Sequence, residues 1–288
     1  MALNSSKNID HGNYIPTPIV PGMKVADGEH IRKVFVLGSA DGATGAVVAE
    51  QESSAGAVVG STGSQTVKAI TEMTTESATS TSSVAGLPGI PSNIEVGADA
   101  SLDLTVIVLP GVSARIPLTI DLTGAHSEVR LSGIYLCSGH DDVTFDITMH
   151  HRTGDCRSQQ TFNGLATGEA KCGFFGKIVI APDAQRTEAF QENHNIMLSD
   201  TARINTKPRL EIYADDVKCS HGATVGKLNE DEQFYMRSRG IPEDEAKVLQ
   251  MISFVAPVLE TIPEEATDGD LGRSSVTELV ESSIRSFA

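Results

Sequence analysis

The sequence predicts a mainly β chain, a β-solenoid followed by a small C-terminal α-helical domain. Three observations carry that prediction. From Ile94 onward, apolar residues alternate with others in short runs, the period of strands whose successive side chains point to opposite faces. The centres of these runs recur at roughly 14 to 18 residues over much of the region, with Gly, Asp, Asn, Ser or Pro turns between them and no convincing helical stretch. After Gly226 the apolar period changes to that of amphipathic helices.

The elements follow in order. Residues 1–33 are polar and broken by Pro16, Pro18 and Pro21, and read as an irregular N-terminal segment. Val34-Phe35-Val36-Leu37 is a short strand and opens a β-helix core over residues 34–226. The stretch from Gly38 to Asn93 is rich in Gly, Ala, Ser and Thr, with small apolar clusters at Ala46-Val47-Val48 and Ala57-Val58-Val59. Residues 76–93 read as a flexible Ser/Thr-rich loop. The period-two strands are then Leu102 to Val108, Ile116 to Leu122, Val129-Leu131, Ile134-Leu136, Val143 to Met149, Ile178-Ile180, Ile196-Leu198 and Leu210-Ile212. With no helices between them, a βαβ parallel sheet is disfavoured, which leaves a β-sandwich or a solenoid of stacked coils. No Asn-Gly or Asp-Gly pair makes a two-residue hairpin between these runs, and that favours the solenoid.

Residues 227–288 form the C-terminal helical domain. Asn229 with Glu232 three residues on is a capping-box variant, and the helix it opens holds Phe234, Tyr235 and Met236 and stops at Gly240. Pro242 starts a second helix with Glu243, Asp244 and Glu245 in its first turn, where the helix dipole favours acids. Its apolar stripe is Val248, Met251, Ile252, Val255, Leu259 and Ile262. Pro257 should kink it, and Pro263 ends it. Ser275-Val276-Thr277-Glu278 reads as another capping box, opening a short helix with Val276, Leu279, Val280 and Ile284 on one side.

Composition narrows the function. The 288 residues carry 22 Lys and Arg against 38 Asp and Glu, a net charge of −16. Nucleic acid and anionic membranes need a positive footprint, so neither is expected as partner. No apolar run reaches the roughly 18 residues of a membrane helix, and the N-terminus has no apolar signal core. Cys137, Cys156, Cys172 and Cys219 form no CxxC pair, so neither a disulfide framework nor a zinc ribbon is indicated. Reduced thiols fit a cytoplasmic protein.

The motifs are few. In Cys219-Ser220-His221 a thiol and an imidazole stand two residues apart. If the segment is extended they share a face, and both reach one soft metal ion. Gly222 to Leu228 imitates a phosphate loop, but its glycines are one residue too close and Leu228 stands where Ser or Thr must hold magnesium. His140-Asp141-Asp142 and His150-His151 read as turn and strand residues, with His150 and His151 on opposite faces. Cys156 and Cys172 read as isolated thiols. No G-x-S-x-G elbow and no HExxH is present, so no catalytic residue is assigned.

A longer pattern remains. His150-His151, Ser158-Gln159, Phe175 to Ile178, Ala184 to Gln191, Met197 to Asp200, Lys207-Pro208, nearly all of Leu210 to Gly226, Phe234-Tyr235 and Arg237 to Ile241 resemble the SufB/SufD family of iron–sulfur assembly scaffolds, on its SufD side at the Cys-Ser-His-Gly-Ala-Thr segment. The resemblance implies a right-handed parallel β-helix and a non-enzymatic scaffold. Its expected partners are a SufB-like paralogue and a SufC-like ATPase. It implies that Cys219 and His221 lie where the two β-helices meet, with His221 the iron-side ligand. It further implies that Phe234, Tyr235, Arg237, Arg239, Gly240 and Ile241 help dock the ATPase. No stably bound cofactor is expected, only a transient cluster or iron at the subunit interface. Members of the family usually carry an N-terminal helical domain, for which residues 1–33 are too short and proline-broken.

Two alternatives stay open. One is a SufB-like, cluster-carrying scaffold. The other is a β-helix polysaccharide lyase or hydrolase, for which Arg152 and Arg157 near Asp141, Asp142 and Asp155 are the only local candidates.

Overall fold

The computed structural model describes residues 22–38, 46–54, 90–264 and 272–288, with only the backbone of 46–54. Fourteen strands and three helices are present among them. The strands are β1 (Met23–Val25), β2 (Glu29–Leu37), β3 (Ala46–Ser54), β4 (Asn93–Val96), β5 (Ser101–Val108), β6 (Ala114–Leu122) and β7 (Glu128–Cys137). They continue as β8 (Asp142–His151), β9 (Arg157–Ala166), β10 (Lys171–Ile180), β11 (Thr187–Met197), β12 (Arg203–Thr206), β13 (Arg209–Ile212) and β14 (Val217–Gly226). The helices are α1 (Glu230–Ser238), α2 (Glu243–Leu259) and α3 (Arg273–Arg285).

From β4 to β14 the chain alternates between two sheets. One runs β1-β4-β6-β8-β10-β12, with β13 also beside β10, and the other runs β14-β11-β9-β7-β5-β2-β3. Every pairing is parallel except β2 with β3. The result is a parallel β-solenoid of about five turns. The spacing of 14 to 18 residues is half a coil. A whole coil takes 27 to 31 residues, as in the stack Leu102, Val129, Ser158, Ala189, Cys219.

Both corners of the coil are punctuated by left-handed backbone. Asp99, His126, Asp155 and Arg186 have φ between 53° and 59° at one corner, and Gly111, Gly139 and Gly168 have φ between 55° and 85° at the other. Glycine adopts that conformation without steric cost, and Asp and His tolerate it better than most residues.

There are two cores. The first fills the lumen between the sheets with one apolar row per coil, and Tyr135, Phe145, Phe162 and Phe174 stack through its middle at centroid distances of 4.9–5.6 Å. The second lies outside the β7/β9 side of the other sheet. There Val34, Val36, Ile107, Leu109, Ile134, Leu136 and Leu165 receive Val248, Met251, Val255 and Val258 of α2 and Val276, Val280 and Ile284 of α3. Asn163 Nδ2 donates to Phe254 O at 2.6 Å, pinning α2 to β9.

Several expectations need correction. The segment 1–33 is not irregular throughout: β1 and the first half of β2 lie within it, and residue 33 falls mid-strand. Their alternation is short and includes His30 and Arg32 on outward positions, which hid the strand. The C-terminal helices of 227–288 are present as expected, and α2 and α3 share a core with the β sheet. The third helix begins at Arg273 with Gly272 as its N-cap and no side-chain cap, two residues before the capping box expected at Ser275. The Arg273 guanidinium instead donates to Ile262 O and Glu260 O, tying the start of α3 to the end of α2. Helix α2 continues through Pro257 to Leu259. Ala57-Val58-Val59 and nearly all of the 76–93 loop lie outside the described residues, but Ile90 and Pro91 are buried. Asn229 caps α1 as expected, accepting from Asp231 N and Glu232 N, and Gly240 follows with φ +88°.

Candidate functional site

The site is built on β14. Val217, Cys219 and the β-favouring Thr224 and Val225 make an extended run, which pairs in parallel with β11 from Thr187↔Val217 to Ile196↔Gly226. Side-chain pairs fasten it: Lys218 to Glu188 at 2.8 Å, His194 Nδ1 to Thr224 Oγ1 at 2.9 Å, and Asn195 Nδ2 donating to Thr224 O at 3.1 Å. Among the described residues no strand pairs with its other edge, so along this ten-residue strand every second residue's backbone N–H and C=O are open there. Tyr213 is 62% exposed close by, and Ile212 and Val225 are exposed too.

Cys219 and His221 share a face of this last strand, as alternation requires. Cys219 is half-buried against the lumen core, and His221 is exposed. Partial burial pushes the Cys219 thiol above its ordinary value, opposed by a hydrogen bond from the Ala189 backbone. The free chain therefore presents a thiol, which must lose its proton to bind a metal. Among the described residues no group of three or more His, Cys, Asp or Glu side chains is placed to hold a metal ion. Cys219 and His221 are two donors, fewer than the four that iron and iron–sulfur clusters take.

Behind this strand lies a polar zone that sequence reading missed. The inward row Leu104, Leu131, Gln160, Gln191, His221 turns from apolar to polar on entering β9. Gln191 Nε2 donates to Gln160 Oε1 at 2.9 Å. Asn193 Nδ2 donates to Tyr135 Oη at 2.9 Å, and the Tyr135 hydroxyl donates to Asn195. Burial holds the Tyr135 hydroxyl far above its usual range. His151 is buried, with Nε2 2.8 Å from Ser158 Oγ, and burial, with the His150 charge as a lesser cause, lowers its pKa to about 4. The signal was in the text as polar residues at period two, but a strand search keyed to apolar residues passes over it.

The helical face is separate. Helix α1 has no buried residue, and Phe234 is 71% exposed beside Tyr235. The Arg239 guanidinium lies 5.2 Å from the Tyr235 ring centroid, and Arg237 pairs with Glu243 at 3.6 Å. Gly240 and Ile241 complete the turn into α2. Gln250 holds α1 to α2 through Asn229 O, Glu232 and Gln233. Tyr235, Met236, Leu249 and Phe254 line an open cleft between the two helices.

The remaining candidates do not assemble. His140 is exposed and pairs with Glu169, whereas His150 pairs with Asp121 on the face opposite His151. For a lyase, Arg152 is engaged by Asp121, Asp155 by Arg186, and Asp141 by the backbone N–H groups of Ser138 and Gly111. Cys172 lies buried in the lumen, and the neighbouring Cys172 and then burial push the Cys137 thiol above its ordinary value. Cys156 is buried at a corner, within 3.3 Å of Ser127 Oγ and of two carbonyls.

The chain is thus a parallel β-solenoid whose end strand bears a thiol and an imidazole on one face, with helices layered on one sheet. The family described as SUF system FeS cluster assembly, SufBD core domain, matches residues 43–254, and the chain belongs to it. It is similar to the iron–sulfur cluster assembly protein SufD of Escherichia coli, 33% identical over 167 residues, 58% of this chain and 40% of that protein. It is 42% identical over 130 residues to a SufBD family protein of Synechocystis, 45% of this chain and 28% of that one. A SufBD family protein of Pyrococcus horikoshii is 32% identical over 173 residues, 59% and 38% respectively. The chain spans less than half the length of each of these relatives. Among the described residues no helix is long and apolar enough to cross a membrane.

Proposed function

We propose that the chain is a SufD-type scaffold subunit of the cytoplasmic iron–sulfur assembly machinery. It pairs with a SufB-like paralogue through the open end of the solenoid and catalyses no reaction itself. His221 and Cys219 contribute to a site that exists only while both subunits are in place, and the iron or cluster there is transient cargo. The observation that carries this reading is the edge of the ten-residue strand β14, which among the described residues has no pairing strand and carries a thiol and an imidazole on one face with no third ligand nearby. An edge strand of that length invites another strand. A SufC-like ATPase docks on α1 and α2, for which the exposed Phe234 and Tyr235 and the cleft beside them are suited.

Co-expression with SufB-like and SufC-like partners tests this. The three should co-purify, and His221→Ala should lower the iron content of the complex while leaving its composition unchanged. Iron content unchanged in His221→Ala, or a chain that recovers neither partner, refutes the proposal. An iron–sulfur chromophore reconstituted on this chain alone would favour the SufB-like reading instead.

A further inference from the structure

The polar row behind β14 ends in an unused hydrogen-bond acceptor. Gln191 is wholly buried. Its Nε2 donates to Gln160 Oε1, while its own Oε1 has no partner. The carboxamide has space because β10 carries Gly176 opposite it: a Cβ there would stand 2.3 Å from Gln191 Nε2 and 2.7 Å from Cδ. A buried carbonyl is rarely left unpaired, so a position that keeps one calls for a donor. The next residue along the stack is His221, whose Cα is the register partner of Gln191. Paired residues of adjacent strands on one face lie within side-chain reach. An imidazole is the one group on that rung with an N–H to offer and a second nitrogen to spare.

We propose that Gln191 is a positioning residue for His221. It accepts one ring N–H of His221 on its free Oε1, fixing the tautomer and leaving the other ring nitrogen as the lone-pair donor presented at the open end. Gln160 holds Gln191 in place from the coil below. Metal-binding histidines are oriented in this manner by an acceptor on their far nitrogen. The inference rests on the reading of His221 as an iron-side ligand, but its test does not use iron.

The full chain is labelled with 15N-histidine and kept metal-free at a pH where free imidazole is neutral. Its ring nitrogen shifts are then recorded, with His221→Ala assigning the signal. In the wild-type chain His221 should show one tautomer in about tenfold excess, the bias a hydrogen bond of ordinary net strength imposes. Gln191→Met keeps the volume and removes the acceptor, so it should return the ratio to that of free imidazole. Gln191→Glu restores an acceptor and should restore the single tautomer. A wild-type His221 with the free-imidazole ratio overturns the proposal without any variant, so a Gln191→Met chain that fails to fold does not shelter it. A ratio unmoved in a folded Gln191→Met chain overturns it as well. If the tautomer is locked through Gln191 but His221→Ala leaves the iron content of the complex unchanged, the positioning stands and the iron-side reading of His221 falls.

Discussion

His151 should make the solenoid lose stability in mildly acidic solution. It sits at the end of β8 with its side chain in the lumen, its Nε2 against Ser158 Oγ and its Nδ1 buried without a partner. Burial, and secondarily the neighbouring His150, lowers its pKa from 6.5 to about 4. A base whose folded pKa is depressed binds its proton more readily in the unfolded chain. Its contribution is therefore fully present above pH 6.5 and is lost as the pH falls toward 4. At 1.36 kcal/mol per unit, the loss across that window is about 3 kcal/mol. The ion-paired carboxylates do not confuse the upper part of the window. Asp155 and Glu188 are held below ordinary values of 3.8 and 4.5, so their contributions are lost only at lower pH. Urea unfolding at successive pH values should show the wild-type midpoint falling between pH 6.5 and 5. His151→Gln cannot take up a proton, and its amide still reaches a hydroxyl at Ser158, so its midpoint should stay nearly flat over the same range. Parallel pH profiles for the two chains would refute the argument, because the loss would then arise elsewhere.

Three further outcomes follow from the helical layer. Met251→Ala opens a cavity between α2 and the sheet and should cost about 3 kcal/mol in denaturant unfolding. Asn229→Ala removes the two hydrogen bonds that cap α1 and should cost about 1 kcal/mol, seen as faster hydrogen exchange of the α1 amides with the solenoid unaffected. Phe234→Ala combined with Tyr235→Ala removes only exposed side chains. It should shift stability by less than about 0.5 kcal/mol while lowering co-purification of the ATPase, and unchanged co-purification would remove α1 from the docking surface.

The fold was legible where the chain obeys binary patterning. Strands β6 and β8 alternate Leu, Ile, Val, Phe and Met with polar residues because their inner face meets a dry lumen, and β5 was readable from its first half. The runs Val129-Leu131 and Ile134-Leu136, read separately, are one strand, β7, whose second half is apolar on both faces. Strand β9 was not readable, because its inward positions include Ser158 and Gln160. The corner residues were visible as glycines at Gly111, Gly139 and Gly168, but three of the four opposite corners use Asp99, His126 and Asp155, and Arg186 makes the fourth, so no single residue type marks the period. Register also hid the docking of the helices. Ile107, Ile134 and Leu165 face outward, and only the pairing of β5, β7 and β9 shows that they form one apolar patch under α2. Cys219 and His221 were readable as a pair from alternation alone, whereas Gln191, thirty residues earlier, joins them only once β11 is paired with β14.

That change from apolar to polar rows bears on why the stack ends where it does. A solenoid whose last coil repeated Leu104 and Leu131 would expose a dry apolar end, open to indiscriminate stacking with other strands. Here the end rung on that row is His221 above Gln191 and Gln160, and the neighbouring row passes from Val106 through Phe162 to Asn193 and Ala223. A polar group on the terminal rung makes association conditional, since a strand laid against β14 meets the exposed His221 imidazole as well as backbone, while Gln191 and Gln160 lie buried beneath it. A partner bringing ligands of its own meets that condition, and a second unrelated apolar edge does not. A chain with Gln160, Gln191 and His221 all replaced by Leu should therefore self-associate through β14 in sedimentation experiments. If it stays as dispersed as the wild type, the polar row has no part in restraining the edge.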